Sequence, residues 1–223
     1  MICTRFAKPS GLASPADQNR GDGMAWYHRF FRHRTVEFSV EGADFILRLT
    51  SADDYVSWRE IRTANYRHLQ PFEPVWADDS LSRAHFLNQV RTAETEFDAG
   101  LGAMLLMVHQ PSNTVIGGIN LRNVRRGVAQ MGTIGYWIAE DWGGQGRMTK
   151  AVSRVVEFGF KSLGLHRIEA ACVPENTASA NVLLRAGFQE EGFARAYLKI
   201  NGRWRDHRLF AIVYDDILPE SPA

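Results

Sequence analysis

The chain has 223 residues, and 26 Lys and Arg stand against 25 Asp and Glu, for a formal net charge of +1. That balance gives no bulk positive surface, so direct nucleic-acid binding and attachment to an anionic membrane are not expected. The length suits one domain with a sizeable core, and no apolar run reaches the length of a membrane helix or forms the core of a secretory signal. A cytoplasmic, reducing setting follows as the expectation. Cys3 and Cys172 are far apart, and Cys172 lies in an apolar run that reads as a buried strand. Neither a disulfide framework nor a zinc site is expected from two such cysteines, and the histidines lack short ligand spacing.

Residues 1–34 hold Pro9, Gly11, Pro15, Gly21 and Gly23 among small and polar residues, and read as a flexible N-terminal extension. Trp26, Tyr27, His28, Phe30 and Phe31 near its end form a docking segment or an aromatic patch on the main domain. Strands are expected at 35–40 and 45–49, with a turn at 42–44. Thr50 or Ser51 caps the next helix, Asp53 and Asp54 sit in its first turn, and Tyr55, Trp58 and Ile61 recur at helical spacing. A second helix starts at Asp79 or Ser80 and carries Leu81, Phe86, Leu87, Val90 and Phe97 up to Gly100. Strands follow at 103–108 and at 115–121, the latter broken by Gly117 and Gly118, and then comes a hairpin around Gly127. The next strand, 131–139, contains Gly132 and Gly135. These mark a bulge, a ligand approaching the backbone, or tight cross-strand packing.

The stretch Trp142-Gly143-Gly144-Gln145-Gly146-Arg147-Met148-Thr149-Lys150 links that strand to a helical segment at 151–163. Glycine allows a tight turn and a close approach to a ligand, and the first amides of a helix have no intrahelical partner. Strand, glycine turn and helix together suggest an anion site, while an ordinary turn is the plain alternative. The spacing matches neither the dinucleotide fingerprint nor the nucleoside-triphosphate loop. Further on come a strand at 167–173, a short helix at 177–186 stopped by Gly187, and a strand from 189 toward Tyr197. Asn201-Gly202 signals a hairpin before the last strand, 209–214. One mixed α/β (α+β) domain over 35–218 with a tail at 219–223 is the resulting organisation.

Asn176-Thr177-Ala178-Ser179, followed by Leu183-Leu184-Arg185-Ala186-Gly187-Phe188, resembles the GCN5-related N-acetyltransferase (GNAT) superfamily. Gly164-Leu165-His166-Arg167-Ile168, Glu191-Gly192-Phe193-Ala194-Arg195 and Asn201-Gly202-Arg203-Trp204-Arg205-Asp206-His207 are similar to its ribosomal-protein N-acetyltransferase group, above all to the alanine-modifying members. The resemblance spans about 35–217. It implies a bent mixed sheet with helices on both faces and acetyl-CoA held where two neighbouring parallel strands splay apart.

On that resemblance Ile134, Tyr136, Trp137 and Ile138 belong to the strand that pairs with pantetheine. Gly143, Gly144, Gln145, Gly146, Arg147, Met148 and Thr149 form the pyrophosphate loop and helix start. The opening position, commonly Gln or Arg in the family, is Gly143 here, which removes one side-chain contact. Asn176 is matched to a polar contact with the cofactor, and Ser179 to a cofactor contact and to the group that protonates the departing sulfur; helix capping is the alternative for both. Some relatives carry an acid before the tyrosine equivalent to Tyr197, where this chain has Ala196. Glu140, Glu190 and Glu191 are the substitutes considered for the base, followed by His207 and a water-relayed Asp206. Tyr197 shapes the amine pocket or serves as an acid. The acceptor is an N-terminal α-amine of a protein, in particular a ribosomal protein, or a small-molecule amine. Tyr66, His68, Phe72 and the hairpin at 122–127 would select it, in a monomer or a homodimer.

Overall fold

Eight strands rich in Val, Ile, Leu and aromatic residues form a single mixed sheet. In this computed structural model, residues 37–217 are described, all within one compact unit. The predicted extension at 1–34 with its aromatic segment, Cys3, the first two residues of the first predicted strand and the tail at 219–223 lie outside the described residues. The strands are β1 (Glu37–Ser39), β2 (Phe45–Leu49), β3 (Ala103–His109), β4 (Thr114–Arg125), β5 (Met131–Ile138), β6 (Arg167–Cys172), β7 (Gln189–Ile200) and β8 (Arg203–Val213). Their order is β1-β2-β3-β4-β5-β6-β8-β7. The β5–β6 pair is parallel and each of the other neighbouring pairs is antiparallel. A parallel pair needs a long crossover, and helix α4 (Arg147–Lys161) supplies it.

Helices cover both faces. On one, α1 (Tyr55–Ala64) and α3 (Arg83–Asp98) bury Trp58, Phe86 and Val90 against Leu106, Val108 and Val115. A short helix, α2 (Tyr66–Leu69), follows α1 and runs into a single 3-10 turn at Gln70–Phe72. On the other face lies α4, whose buried stripe includes Ala151, Val152, Val155, Val156 and Phe158, each side chain contributing about 1.5–3 kcal/mol if Val or larger. Gly159 lets α4 approach the sheet, since a Cβ there would stand 2.7 Å from Ile168 Cδ1. Helix α5 (Thr177–Arg185) packs beside α4, and α6 (Tyr214–Ile217) closes the described chain.

Several expectations need correcting. Gly117 and Gly118 do not break β4, which runs through them; a Cβ on Gly118 would lie 2.6 Å from Trp137 Nε1, so glycine there makes room for an indole. The second long helix begins at Arg83, because the Ser82 side chain accepts the His85 N–H at 3.1 Å and so caps it there. Asp54 does sit in the first turn behind the Ser51 cap, as expected, and it is also buried and bidentate with Arg48. Of the two β5 glycines, Gly132 is close-packed between Leu121 and Leu165, whereas Gly135 has open space where a Cβ would go.

Candidate active site

β5 and β6 are hydrogen-bonded only from Met131–Thr133 to Arg167–Glu169. Beyond that point both strands continue, β5 to Ile138 and β6 to Cys172. Each stays anchored on its far edge: Gly117 pairs with Ile138 and Cys172 with Arg208. The two strands therefore diverge, and peptide groups facing the gap lack ladder partners, which suits a ligand carrying amides of its own. A cleft of about 790 Å³ opens there, bounded by β5, β6, the start of α4 and α5.

The glycine turn forms one end of this cleft. Gly144 and Gly146 have φ of +75° and +74°, and a Cβ on either would touch nothing within 4 Å. Backbone handedness, not crowding, requires glycine at these two positions. Gly146 is the N-cap of α4 and offers no capping side chain, so the amides of the first turn are left for an outside acceptor. Asp44 grips Arg147 through Nη2 at 2.6 Å and Nε at 2.9 Å, and the Arg147 guanidinium holds the Asp44 carboxyl down at about 2. Arg147 also donates to Gln145 Oε1 at 2.7 Å.

At the other end, the Tyr136 hydroxyl lies 2.9 Å from Ser179 Oγ. Burial raises the Tyr136 phenol well above its ordinary range, against the pull of the Ser179 hydrogen bond, so it stays protonated. Burial likewise raises the Cys172 thiol, against the smaller opposing pulls of Arg208 and of the neighbouring Ser179 hydroxyl. Asn176 caps α5, its Oδ1 accepting the Ser179 N–H at 3.0 Å. This cap fixes the first turn of α5 and with it the Ser179 side chain.

Ile134, Tyr136, Trp137, Ile138, Gly143, Gly144, Gly146, Arg147, Met148, Thr149, Asn176, Ser179 and Glu140 all line the cleft. Two of the predicted residues lie apart from its wall. Gln145 turns to Arg147, and Tyr197 is half-exposed on β7, with its ring edge against His207 at 5.6 Å between centroids. Glu140 sits exposed in a 3-10 turn past the end of β5, and its backbone N–H donates to Asn65 Oδ1 at 2.8 Å. Glu190 and Glu191, on β7, are tied to Arg208 of β8 and Arg167 at the start of β6, and those guanidinium groups lower both carboxyls. His68 and Phe72 line the cleft, as do Leu198 and Ile200, while Tyr66 packs on Trp76 instead. The hairpin arginines also lie away from it: Arg126 holds the Gly100 and Leu163 carbonyls, and Arg122 pairs with Glu96. The Tyr136–Ser179 bond was not anticipated, because 43 residues separate the two in sequence. Only the fold brings them together.

A family model described as an acetyltransferase (GNAT) domain matches residues 44–189. The chain belongs to the GNAT acetyltransferase family. Over 183 residues it is 32% identical to the ribosomal protein uS5-alanine N-acetyltransferase of Escherichia coli, covering 78% of this chain and 90% of that one. It is 46% identical over 102 residues to the "Probable N-acetyltransferase YjcK" of Bacillus subtilis, a match spanning 46% of this chain and 56% of that protein. Among solved structures, Mycobacterium smegmatis RimJ in complex with CoA-disulfide superposes with a TM-score of 0.75 at 31% identity, over 86% of this chain and 91% of that one.

This GNAT protein is an N-acetyltransferase that uses acetyl-CoA. Its own residues fit that cosubstrate: open space over Gly144 and Gly146, uncapped helix amides for a diphosphate, and unpaired strand edges for the amides of a pantetheine arm. Among the described residues, no helix is long and apolar enough to cross a membrane.

Proposed function

We propose that this enzyme acetylates the N-terminal α-amine of a protein, with a ribosomal protein beginning in alanine as the leading acceptor. The observation that carries the proposal is the reach of the cleft wall: beyond the glycine turn and Ser179 it includes Phe72, Leu198 and Ile200, which the cofactor assignment leaves for the acceptor. The 32% identity to an alanine N-acetyltransferase over most of both chains supports the choice of acceptor. An α-amine is also the easier nucleophile, since its ordinary pKa is about 7.7–8.0 against about 10.4 for a lysine side chain. A ribosomal acceptor would put the reaction in the cytoplasm.

Acetyl-CoA supplies an activated acetyl group as a thioester. The backbone of residues 143–149 binds the diphosphate, and the backbone of 134–138 orients the pantetheine arm. Ser179 hands its hydroxyl proton to the departing sulfur and is reprotonated from Tyr136, which burial keeps in its acid form. Cleft and loop thus hold the reactants while two hydroxyls manage the sulfur.

Incubating the full chain with acetyl-CoA and short peptides beginning in Ala, Ser or Met, then sequencing the products by mass spectrometry, tests the acceptor. An added acetyl on the α-amine of the alanine peptide is expected. Acetylation confined to a polyamine, an aminoglycoside or a free amino acid would overturn the protein-terminus reading in favour of a small-molecule amine.

A further inference from the structure

We propose that His207, on β8, is the residue that takes the proton from the attacking amine. The inference rests on acetyl transfer to an amine and not on which amine is used. His207 is 2% exposed, yet it lines the cleft together with Leu198 and Ile200. Its Nδ1 lies 3.0 Å from the Arg205 carbonyl oxygen, which can only accept, so Nδ1 carries the proton. In the neutral ring Nε2 is then the lone-pair nitrogen, and no protein group among the described residues is bonded to it. A buried, oriented acceptor with nothing to accept from is what a proton-removing group needs before its substrate arrives.

Strand geometry puts it on the correct side. Cys172 and Arg208 are register partners, so their side chains share one face of the sheet, and the Cys172 thiol meets Ser179 there. His207 precedes Arg208 and points to the opposite face. The gap between β5 and β6 is flanked by Ser179 from one face and by His207 from the other. Nitrogen must approach the thioester carbon from one direction while sulfur leaves in another, and the two proton-handling groups are split accordingly.

Other candidates on the cleft wall are already engaged or badly placed. Glu73 is paired with Arg62 and accepts from Trp76 Nε1 at 2.8 Å, and Glu175 is paired with Arg205 at 2.8 Å. Glu140 is exposed on its turn. Among the described residues, none makes a hydrogen bond to the ring of His68. Asp206, outside the wall, accepts the Ala196 N–H at 2.7 Å. In the proposed step the neutral amine forms a bond to the acetyl carbon and gives its proton to His207 Nε2. The carbon–sulfur bond breaks with its electron pair going to sulfur, which takes a proton from Ser179. His207 then releases its proton to water, and the Ser179–Tyr136 pair regains one.

The test uses His207→Ala and His207→Gln in the full chain, assayed with whichever amine of a panel the wild type acetylates best. Both variants should lose about 10²–10⁴-fold in kcat, with CoA affinity by calorimetry within about twofold of wild type. Added imidazole should restore His207→Ala by about tenfold or more. Retention of kcat by either variant, or a change in KM alone, would show that His207 only lines the pocket. A separate readout needs no turnover: ¹⁵N-histidine NMR of the free enzyme should find His207 protonated at Nδ1 and bare at Nε2. The reverse tautomer would overturn the proposal. An unmodified alanine peptide beside another acetylated amine would sink only the acceptor reading, since the His207 comparison follows the amine that reacts.

Discussion

At the scale of single residues, the Ser179 hydroxyl is held from two directions. The Asn176 cap fixes its backbone, and Tyr136 fixes its oxygen. Replacing Ser179 by Ala removes the proton donor without disturbing the cap, because Asn176 bonds the backbone N–H. Stopped assays should therefore find kcat reduced by about 10–100-fold with the CoA dissociation constant changed by less than about threefold. Tyr136→Phe leaves Ser179 in position but cuts its proton supply, and a smaller loss, about tenfold, is expected. A large change in CoA affinity with kcat intact would reassign both residues to cofactor binding. The place of Ser179 on the cleft wall was legible because its motif is local, Asn176 to Ser179. The role of Tyr136 was hidden, since a strand residue gives no sign of which distant helix its hydroxyl will meet. His207 was readable only as one of several candidates. Its rank changes once burial, the Arg205 carbonyl and the engagement of the nearby acids are seen together.

Elements show the same division between local and nonlocal causes. The glycine turn was legible because left-handed backbone at 144 and 146 has to be encoded where it occurs. Gly117-Gly118 misled because the same residue type also serves close packing, here against Trp137, whose position is set by the pairing of β4 with β5. Gly118→Ala should therefore lower stability by about 1–3 kcal/mol, read as a fall in Tm of several degrees. An unchanged Tm would mean that the indole moves aside freely. The Asp44–Arg147 clamp joins the start of β2 to the first residue of α4. Its sign follows from the depressed Asp44 pKa: the contribution is complete above the ordinary value of 3.8 and is lost as pH falls toward about 2. Because Asp44 is 39% exposed, water screens the pair and the contribution stays below about 1 kcal/mol. Asp44→Asn should lower Tm by a few degrees near neutrality and weaken the further fall in Tm between pH 4 and 2. Identical acid melting curves for both proteins would contradict the clamp.

For the molecule as a whole, periodicity supplied most strands and helices, but neither strand order nor the divergence of β5 from β6 is written in any local pattern. Both depend on which edges pair across the chain; the resemblance to the GNAT family anticipated the splayed pair, while the rest of the order came only with the structure. On the proposed assignments the layout is a relay across the sheet, with the amides proposed to bind the diphosphate at one end of the gap, the proposed acid Ser179 on one face and the proposed base His207 on the other. Such a layout should recognise both substrates at once and bind their joined form far better than either part. The most direct measurement is the dissociation constant of a bisubstrate analogue in which CoA sulfur is linked through an acetyl bridge to the α-nitrogen of an alanine-initiated peptide. The account predicts binding at least about 100-fold tighter than CoA alone. Affinity no better than that of CoA, with the peptide contributing nothing, would contradict it.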